Sequence, residues 1–239
     1  MKRIIAAACI WDMDHTLYHH PDADIPSFAA ATLTALRTLG APGVDVLTLA
    51  QLKSITDYEY RTNGSSYPYI ERTYGIARAE LEAETQNHLI PNDILPCSEL
   101  PILFASCPRR HIINTHAAPR WAAQVLDHIG LTPFFPPQNI VYHANHGFAS
   151  KSTSPSTHQA ALALAGCDVA DVVMIEDAEK NLRIPKEMGM KTVLVGHHSE
   201  RNGSHIDMWV ERAADVFSLL DLPPDFIVAP ANKIAATRQ

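Results

Sequence analysis

Asp12-Met13-Asp14-His15-Thr16 follows directly on an unbroken apolar run, Ile4 to Trp11. Two carboxylates two positions apart point to the same side of an extended segment. At the carboxyl end of a strand, both enter one pocket. Like charges so close repel, so one must take up a proton or a cation must lie between them. An aspartate nucleophile beside an aspartate acid/base, with Mg²⁺, meets that demand; an acidic turn closing a strand is the plainer alternative. Three further strand ends carry polar groups suited to the same chemistry. Thr115 closes Ile112-Ile113-Asn114, and its hydroxyl can donate to a phosphate oxygen. Lys151 precedes a helix that starts near Pro155 and can neutralise a phosphate as a point charge. Glu176-Asp177 follow the apolar Val172 to Ile175. A solvated face explains that pair poorly. Ligation of a hard cation explains it well, with helix capping by Asp177 as the alternative.

The elements that must position these groups are legible from periodicity. Ile4 to Trp11 reads as a strand buried on both faces, as in the middle of a parallel sheet. Helical stretches follow at Ser27 to Gly40, Leu47 to Arg61, Tyr67 to Tyr74 and Ala77 to Leu89, with a break at Asn63-Gly64-Ser65-Ser66. No buried strand is expected from Met13 to Pro96. From residue 98 onward, strands at His111 to Asn114, Ile140 to Tyr142, Val172 to Ile175 and Thr192 to Val195 alternate with helices. That alternation predicts an α/β fold with a doubly wound, mostly parallel, Rossmann-like sheet. In such a sheet ligands bind beyond the carboxyl ends of the strands, where the four polar groups lie. The block of about eighty residues between the first strand and the rest exceeds any ordinary βα loop and reads as an inserted helical module. The expected division is a core of residues 1–18 and 98–223, a helical cap of residues 19–97, and a tail of residues 224–239.

Composition bounds the partners. Hydrophobic residues make up 46% of the 239, enough for a buried core. With 19 Lys+Arg against 26 Asp+Glu the formal net charge is −7, which argues against a nucleic-acid polymer as partner. A small anionic substrate is compatible, because one metal ion and one lysine reverse the local field. No apolar run reaches the roughly 18 residues of a membrane span. Cys9, Cys97, Cys107 and Cys167 form no CxxC pair, so reduced thiols in a cytoplasmic protein are expected. The basic, apolar start only just meets the length of a secretion signal, and cleavage there would remove the strand that leads into Asp12.

Taken in order, these motifs resemble the haloacid dehalogenase superfamily of phosphohydrolases over nearly the whole chain. Asp12-Met13-Asp14-His15-Thr16-Leu17 is similar to its DxDxT motif, Thr115 to its second motif, Lys151 to its third and Glu176-Asp177 to its acidic fourth. Within the superfamily the chain looks most like the pyrimidine 5′-nucleotidase group. Asp14 to Tyr18, Tyr60 to Ser66, and Leu89 to Leu100 carry that likeness. The resemblance implies a two-step phosphoryl transfer. Asp12 would be the nucleophile and Asp14 the acid/base. Mg²⁺ would be held by Asp12, the Asp14 carbonyl, Asp177 and, directly or through water, Glu176. Thr115 and Lys151 would hold the phosphoryl oxygens, with Met13 and His116 beside them. Arg61, Ser65 and Ser66 in the cap would bear on specificity. The implied partner is a small phosphorylated metabolite, first of all a nucleoside 5′-monophosphate. Another phosphoester (a sugar phosphate or phosphoglycolate), a phosphomutase reaction, and a non-catalytic binding module are the alternatives. Dehalogenating members lack the second aspartate, so Asp14 argues against that activity. A monomer or small homo-oligomer is expected.

Two groups of residues remain outside this reading. Of 13 histidines, His19 and His20, His143 and His146, and His197, His198 and His205 fall close together. None offers a complete zinc ligand set, and solvated loop positions are expected. Tyr58, Tyr60, Tyr67, Tyr69 and Tyr74 crowd the helical module, as base-stacking surfaces or as packing.

Overall fold

A computed structural model describes residues 3–18, 26–63, 65–196 and 203–222. Its strands are β1 (Ile4–Ile5), β2 (Ala8–Trp11), β3 (Arg110–Thr115), β4 (Ile140–Tyr142), β5 (Val172–Glu176), β6 (Lys191–Val195), β7 (Met208–Val210) and β8 (Leu220–Asp221). Six form one sheet in the order β4-β3-β2-β5-β6-β7, and every neighbouring pair is parallel. The fold is therefore the expected α/β one.

The first apolar run does not stay in one sheet. It breaks at Ala6-Ala7, where the amide of Ala6 bonds to the Asp221 carbonyl and that of Ala7 to the Asp171 carbonyl. β1 thus pairs with β8 in a separate two-stranded sheet, and only Ala8–Trp11 enters the main one. Continuous hydrophobicity is the same for both halves, so the crossing leaves no mark in the run itself. β7 and β8 are also additions, since Trp209 to Leu220 shows no clean strand period.

β2 is buried on both faces, as a central parallel strand must be. Alternate side chains serve opposite layers. Cys9, Trp11, Ile113, Val173 and Ile175 face one core. Ala8, Ile10, Ile112, Val172 and Met174 face the other, against Ala161 and Ala165. The first layer holds α5 (Leu100–Ser106) and α6 (Pro119–His128), with Phe104 packed at 5.3 Å from Trp11. The second holds α7 (Ser156–Ala165), which ends at Gly166 in the left-handed region.

Between β2 and β3 lie α1 (Pro26–Thr38), α2 (Leu49–Asn63), α3 (Tyr67–Tyr74) and α4 (Arg78–Asn87), with no strand among the described residues. They bury their own cluster of Leu33, Leu36, Leu52, Ile70 and Leu81. That separate core is why these helices form a module rather than a loop. The tail, residues 224–239, and His19, His20, His197 and His198 lie outside the described residues.

Chain direction along the sheet fixes where a ligand can bind. From β2 the chain proceeds to β3 and β4 on one side, and from β5 to β6 and β7 on the other. The reversal point falls between β2 and β5, and a crevice opens there beyond the strand ends. Trp11 is in register with both Ile113 and Ile175. The next residues, Asp12, Asn114 and Glu176, therefore emerge side by side at that crevice.

Candidate active site

Asp12 leaves β2 with its amide still bonded to the Ile175 carbonyl at 2.8 Å, and it is buried. The chain then folds into a tight loop: the amides of Thr16 and Leu17 both bond to the Met13 carbonyl, and His15 takes φ 62. This turns Thr16 back on Asp12. Its hydroxyl donates to Asp12 Oδ2 at 3.2 Å and lies 3.4 Å from Asp177 Oδ1. The Met13 amide hydrogen-bonds the Asp12 carboxylate.

Lys151 is 1% exposed, the most buried cation described here. Its Nζ lies 2.5 Å from Asp12 Oδ1, 2.7 Å from Glu176 Oε2 and 3.3 Å from the Asn114 carbonyl. Burial alone would lower this ammonium's pKa, but Asp12 and Glu176 outweigh it and the net shift is upward. The backbone of Lys151 is held as firmly. His116 Nε2 accepts its amide at 3.1 Å, and His158 Nε2 donates to its carbonyl at 2.9 Å. Asn114 Nδ2 in turn donates to His158 Nδ1 at 3.1 Å, which fixes that ring's tautomer. Burial, then the Lys151 charge, lowers His116 to about 2, so this ring stays neutral.

Glu176 is 1% exposed and fully engaged: Oε2 takes Lys151, while Oε1 accepts from Asn181 Nδ2 at 3.1 Å and the Ala178 amide at 3.3 Å. Asp14 is pulled to one side, its Oδ1 accepting from Tyr18 Oη at 2.5 Å and Trp121 Nε1 at 3.1 Å. Thr115 Oγ1 accepts the Ala117 amide at 2.9 Å, leaving its hydroxyl hydrogen free to donate.

The charge balance calls for a second cation. Oxygens of Asp12, Glu176 and Asp177 can be chosen within 4.8 Å of one another, and one ammonium faces all of them. Burial and the neighbouring Glu176 push Asp12 up to about 6. Burial, Glu176 and Asp12 push Asp177 well above the carboxylate range, and burial and Asp12 raise Asp14. An all-oxygen, surplus-negative donor set fits a hard divalent cation. Asp12, Glu176 and Asp177 could each offer it one oxygen.

Sequence motifs separated by more than a hundred residues thus meet in one cluster: Asp12, Asp14, Lys151, Glu176 and Asp177, with Thr115 and His116 at the neighbouring strand end. The cap positions do not join it in the same way. Ser65 Oγ accepts the Tyr67 amide and the Ser66 carbonyl accepts two amides of α3, so both build a helix start. Arg61 lies on α2, and its side chain is outside the described residues. Sequence reading passed over Asn114, Trp121, His158 and Asn181. Asn181 carries a signal, since it lies in the short helix directly after the Glu176-Asp177 pair. His158 carries none, because its neighbour Lys151 precedes the helix.

No protein-family model and no curated protein matches this chain in sequence. Solved structures do match it in shape. CbbY from Rhodobacter sphaeroides, solved in complex with phosphate, superposes with a TM-score of 0.66 at 15% identity, over 89% of this chain and 96% of that one. A mutant of the same protein is solved with xylulose-(1,5)bisphosphate. The putative hydrolase YfnB from Bacillus subtilis, bound to magnesium, gives 0.59 at 14% identity over 90% and 98%. L-2-haloacid dehalogenase from Xanthobacter autotrophicus gives 0.56 at 17% over 90% and 98%. These likenesses show the haloacid dehalogenase fold, spanning both the sheet and the helical module.

Proposed function

We propose that this chain is a Mg²⁺-dependent phosphomonoesterase of the haloacid dehalogenase type. The observation that carries the reading is the buried bridge from Lys151 to Asp12 and Glu176 beside Asp14 and Asp177. Gathering two buried and two half-buried carboxylates around one ammonium is costly unless the site works on a group that brings or attracts charge.

Asp12 attacks phosphorus in line while the phosphorus–oxygen bond to the leaving group breaks. The leaving oxygen takes its proton from Asp14, whose raised pKa favours the protonated form at the outset. The product is an aspartyl-phosphate on Asp12 and a free alcohol. Asp14, now ionised, removes a proton from water as that water attacks the same phosphorus. Inorganic phosphate leaves and Asp12 is restored. Tyr18 and Trp121 hold Asp14 in one orientation for both proton transfers. Lys151, the Thr115 hydroxyl and the amides of Met13 and His116 bear on the transferring oxygens, and positioning of this kind supplies most of the catalysis. Asp12, the Asp14 carbonyl and Asp177 would hold the Mg²⁺, with Glu176 behind them as the anchor of Lys151. When bound, the ion neutralises phosphoryl charge. The helical module, residues 19–97, serves as the cap that shields the reaction from water.

The substrate proposed first is a nucleoside 5′-monophosphate, supported by the likeness of Tyr60 to Ser66 and of Asp14 to Tyr18 to the pyrimidine 5′-nucleotidase group. A phosphorylated sugar is the second reading, favoured by the bisphosphate seen in CbbY. Release of inorganic phosphate, measured with Mg²⁺ across nucleotides, sugar phosphates and phosphoglycolate, decides between them. An isomerised product without phosphate release identifies a mutase instead.

A further inference from the structure

The helical module touches the lysine loop through two side chains. Arg78 and Glu82 lie one turn apart on one face of α4. Glu82 is 5% exposed; its Oε1 accepts from His143 Nε2 at 3.2 Å and lies 3.5 Å from Arg78 Nε. A carboxyl group buried this deeply needs partners, and it draws one from its own helix and one across from the sheet domain. His143 directly follows β4 and is buried, contrary to the solvated position its sequence context suggests. Its ring lies 5.1 Å from that of His116, whose Nε2 accepts the Lys151 amide. The Arg78 guanidinium sits 4.2 Å over the ring of Phe148, which meets His143 edge-on at 5.4 Å. Phe148 holds φ 58, a conformation bulky residues rarely adopt without support from their surroundings. Segment 143–148 is thus gripped at both ends by one face of α4, and three residues later it becomes Lys151.

We propose that Arg78 and Glu82 are positioning residues for Lys151: by holding His143 and Phe148 they fix the loop that carries the lysine, so seating of the helical module on the sheet completes the cationic side of the site. Because Glu82 neutralises Arg78, the pair is no anion site of its own. Its effect passes through the loop. The catalytic consequence rests on the phosphatase reading; the mechanical link does not.

Hydrogen exchange of the full-length protein, read by mass spectrometry over residues 143–152, tests the link directly. Glu82→Ala and Arg78→Met should raise exchange there by about tenfold, whereas Glu80→Ala, exposed on the same helix, should leave it unchanged. His143→Gln, cutting the link from the sheet side, keeps the test open where Glu82→Ala fails to fold. Turnover gives the second readout. Lys151 serves the phosphoryl group common to all substrates, so kcat should fall by about tenfold or more for p-nitrophenyl phosphate and a nucleoside monophosphate alike. A group contacting the leaving portion would change KM for one substrate and not the other. Unchanged exchange over 143–152 in a folded Glu82→Ala protein overturns the inference whatever the activity. A wild-type protein that hydrolyses no phosphoester refutes the phosphatase reading alone, since the exchange result still decides the link.

Discussion

Lys151 Nζ bridges Asp12 Oδ1 at 2.5 Å and Glu176 Oε2 at 2.7 Å, tying the end of β2 to the end of β5 across the point where the sheet reverses direction. All three groups are buried, so whatever the bridge contributes net of desolvation, removing one partner leaves the others as uncompensated buried charge. Lys151→Met should cost about 3–5 kcal/mol of stability at neutral pH, by urea denaturation. It should also lower phosphate release by about a hundredfold or more. Unchanged stability would show that the two carboxylates find other partners.

A divalent cation should relieve the surplus negative charge around Asp12 and Asp177. Adding Mg²⁺ should raise the thermal midpoint of the wild-type protein, because the ion binds the folded state alone. Asp177→Asn should remove most of that response, and chelation should abolish turnover until Mg²⁺ returns. An Mg²⁺ response equal in the two proteins would place the ion elsewhere.

How much of this was legible in the sequence follows from what each residue depends on. Asp12, Asp14, Thr115 and Asp177 stand at strand ends or next to them, and strand ends can be read from short apolar runs; Lys151 lies instead in the turn before α7. The parallel sheet is legible in the same runs, and the helices between β2 and β3 in their own periodicity. What could not be read is whatever depends on chain crossings. The split of Ile4 to Trp11 between two sheets is set by β8, which lies more than two hundred residues away. His143 and His158 read as ordinary loop and helix residues because their partners, Glu82 and Asn114, are contributed by distant elements. Glu176 reads as a further metal ligand, direct or through water, and its carboxylate does lie with those of Asp12 and Asp177. Its contact to Lys151, beside those to Asn181 and the Ala178 amide, comes from a residue that no local pattern points to.

Buried neutral histidines make the fold sensitive to acid. Burial, then the Arg109 charge, lowers His111 to about 3, and its Nδ1 accepts from Trp11 Nε1 at 3.1 Å. Below the unfolded value of 6.5 the unfolded chain takes up a proton that the folded chain refuses. Stability conferred by neutral His111 is therefore complete above pH 6.5 and lost as pH falls toward about 3. The loss is about 1.4 kcal/mol per pH unit. His111→Phe leaves the Trp11 donor unpaired and should be about 1–3 kcal/mol less stable at pH 7.5. That gap should narrow as the pH is lowered through 6 to 5, in parallel urea titrations. A gap that stays constant would contradict a neutral His111.

Trp121 donates to the ionised form of Asp14, and such a bond lowers a carboxyl pKa. Trp121→Phe should therefore raise the Asp14 pKa further. The alkaline limb of the pH–rate profile, where Asp14 loses the proton it gives to the leaving group, should move up by the same amount. A limb that does not move would assign it to another group.

The account turns on Asp12 as the nucleophile. Its most direct test is Mg²⁺-dependent release of inorganic phosphate from p-nitrophenyl phosphate by the wild-type protein and by Asp12→Asn, with thermal midpoints taken alongside. The account predicts turnover by the wild type and loss of at least about a thousandfold in a folded Asp12→Asn protein, since no other group in the cluster is placed to take over the attack. Turnover by Asp12→Asn at the wild-type rate would contradict it.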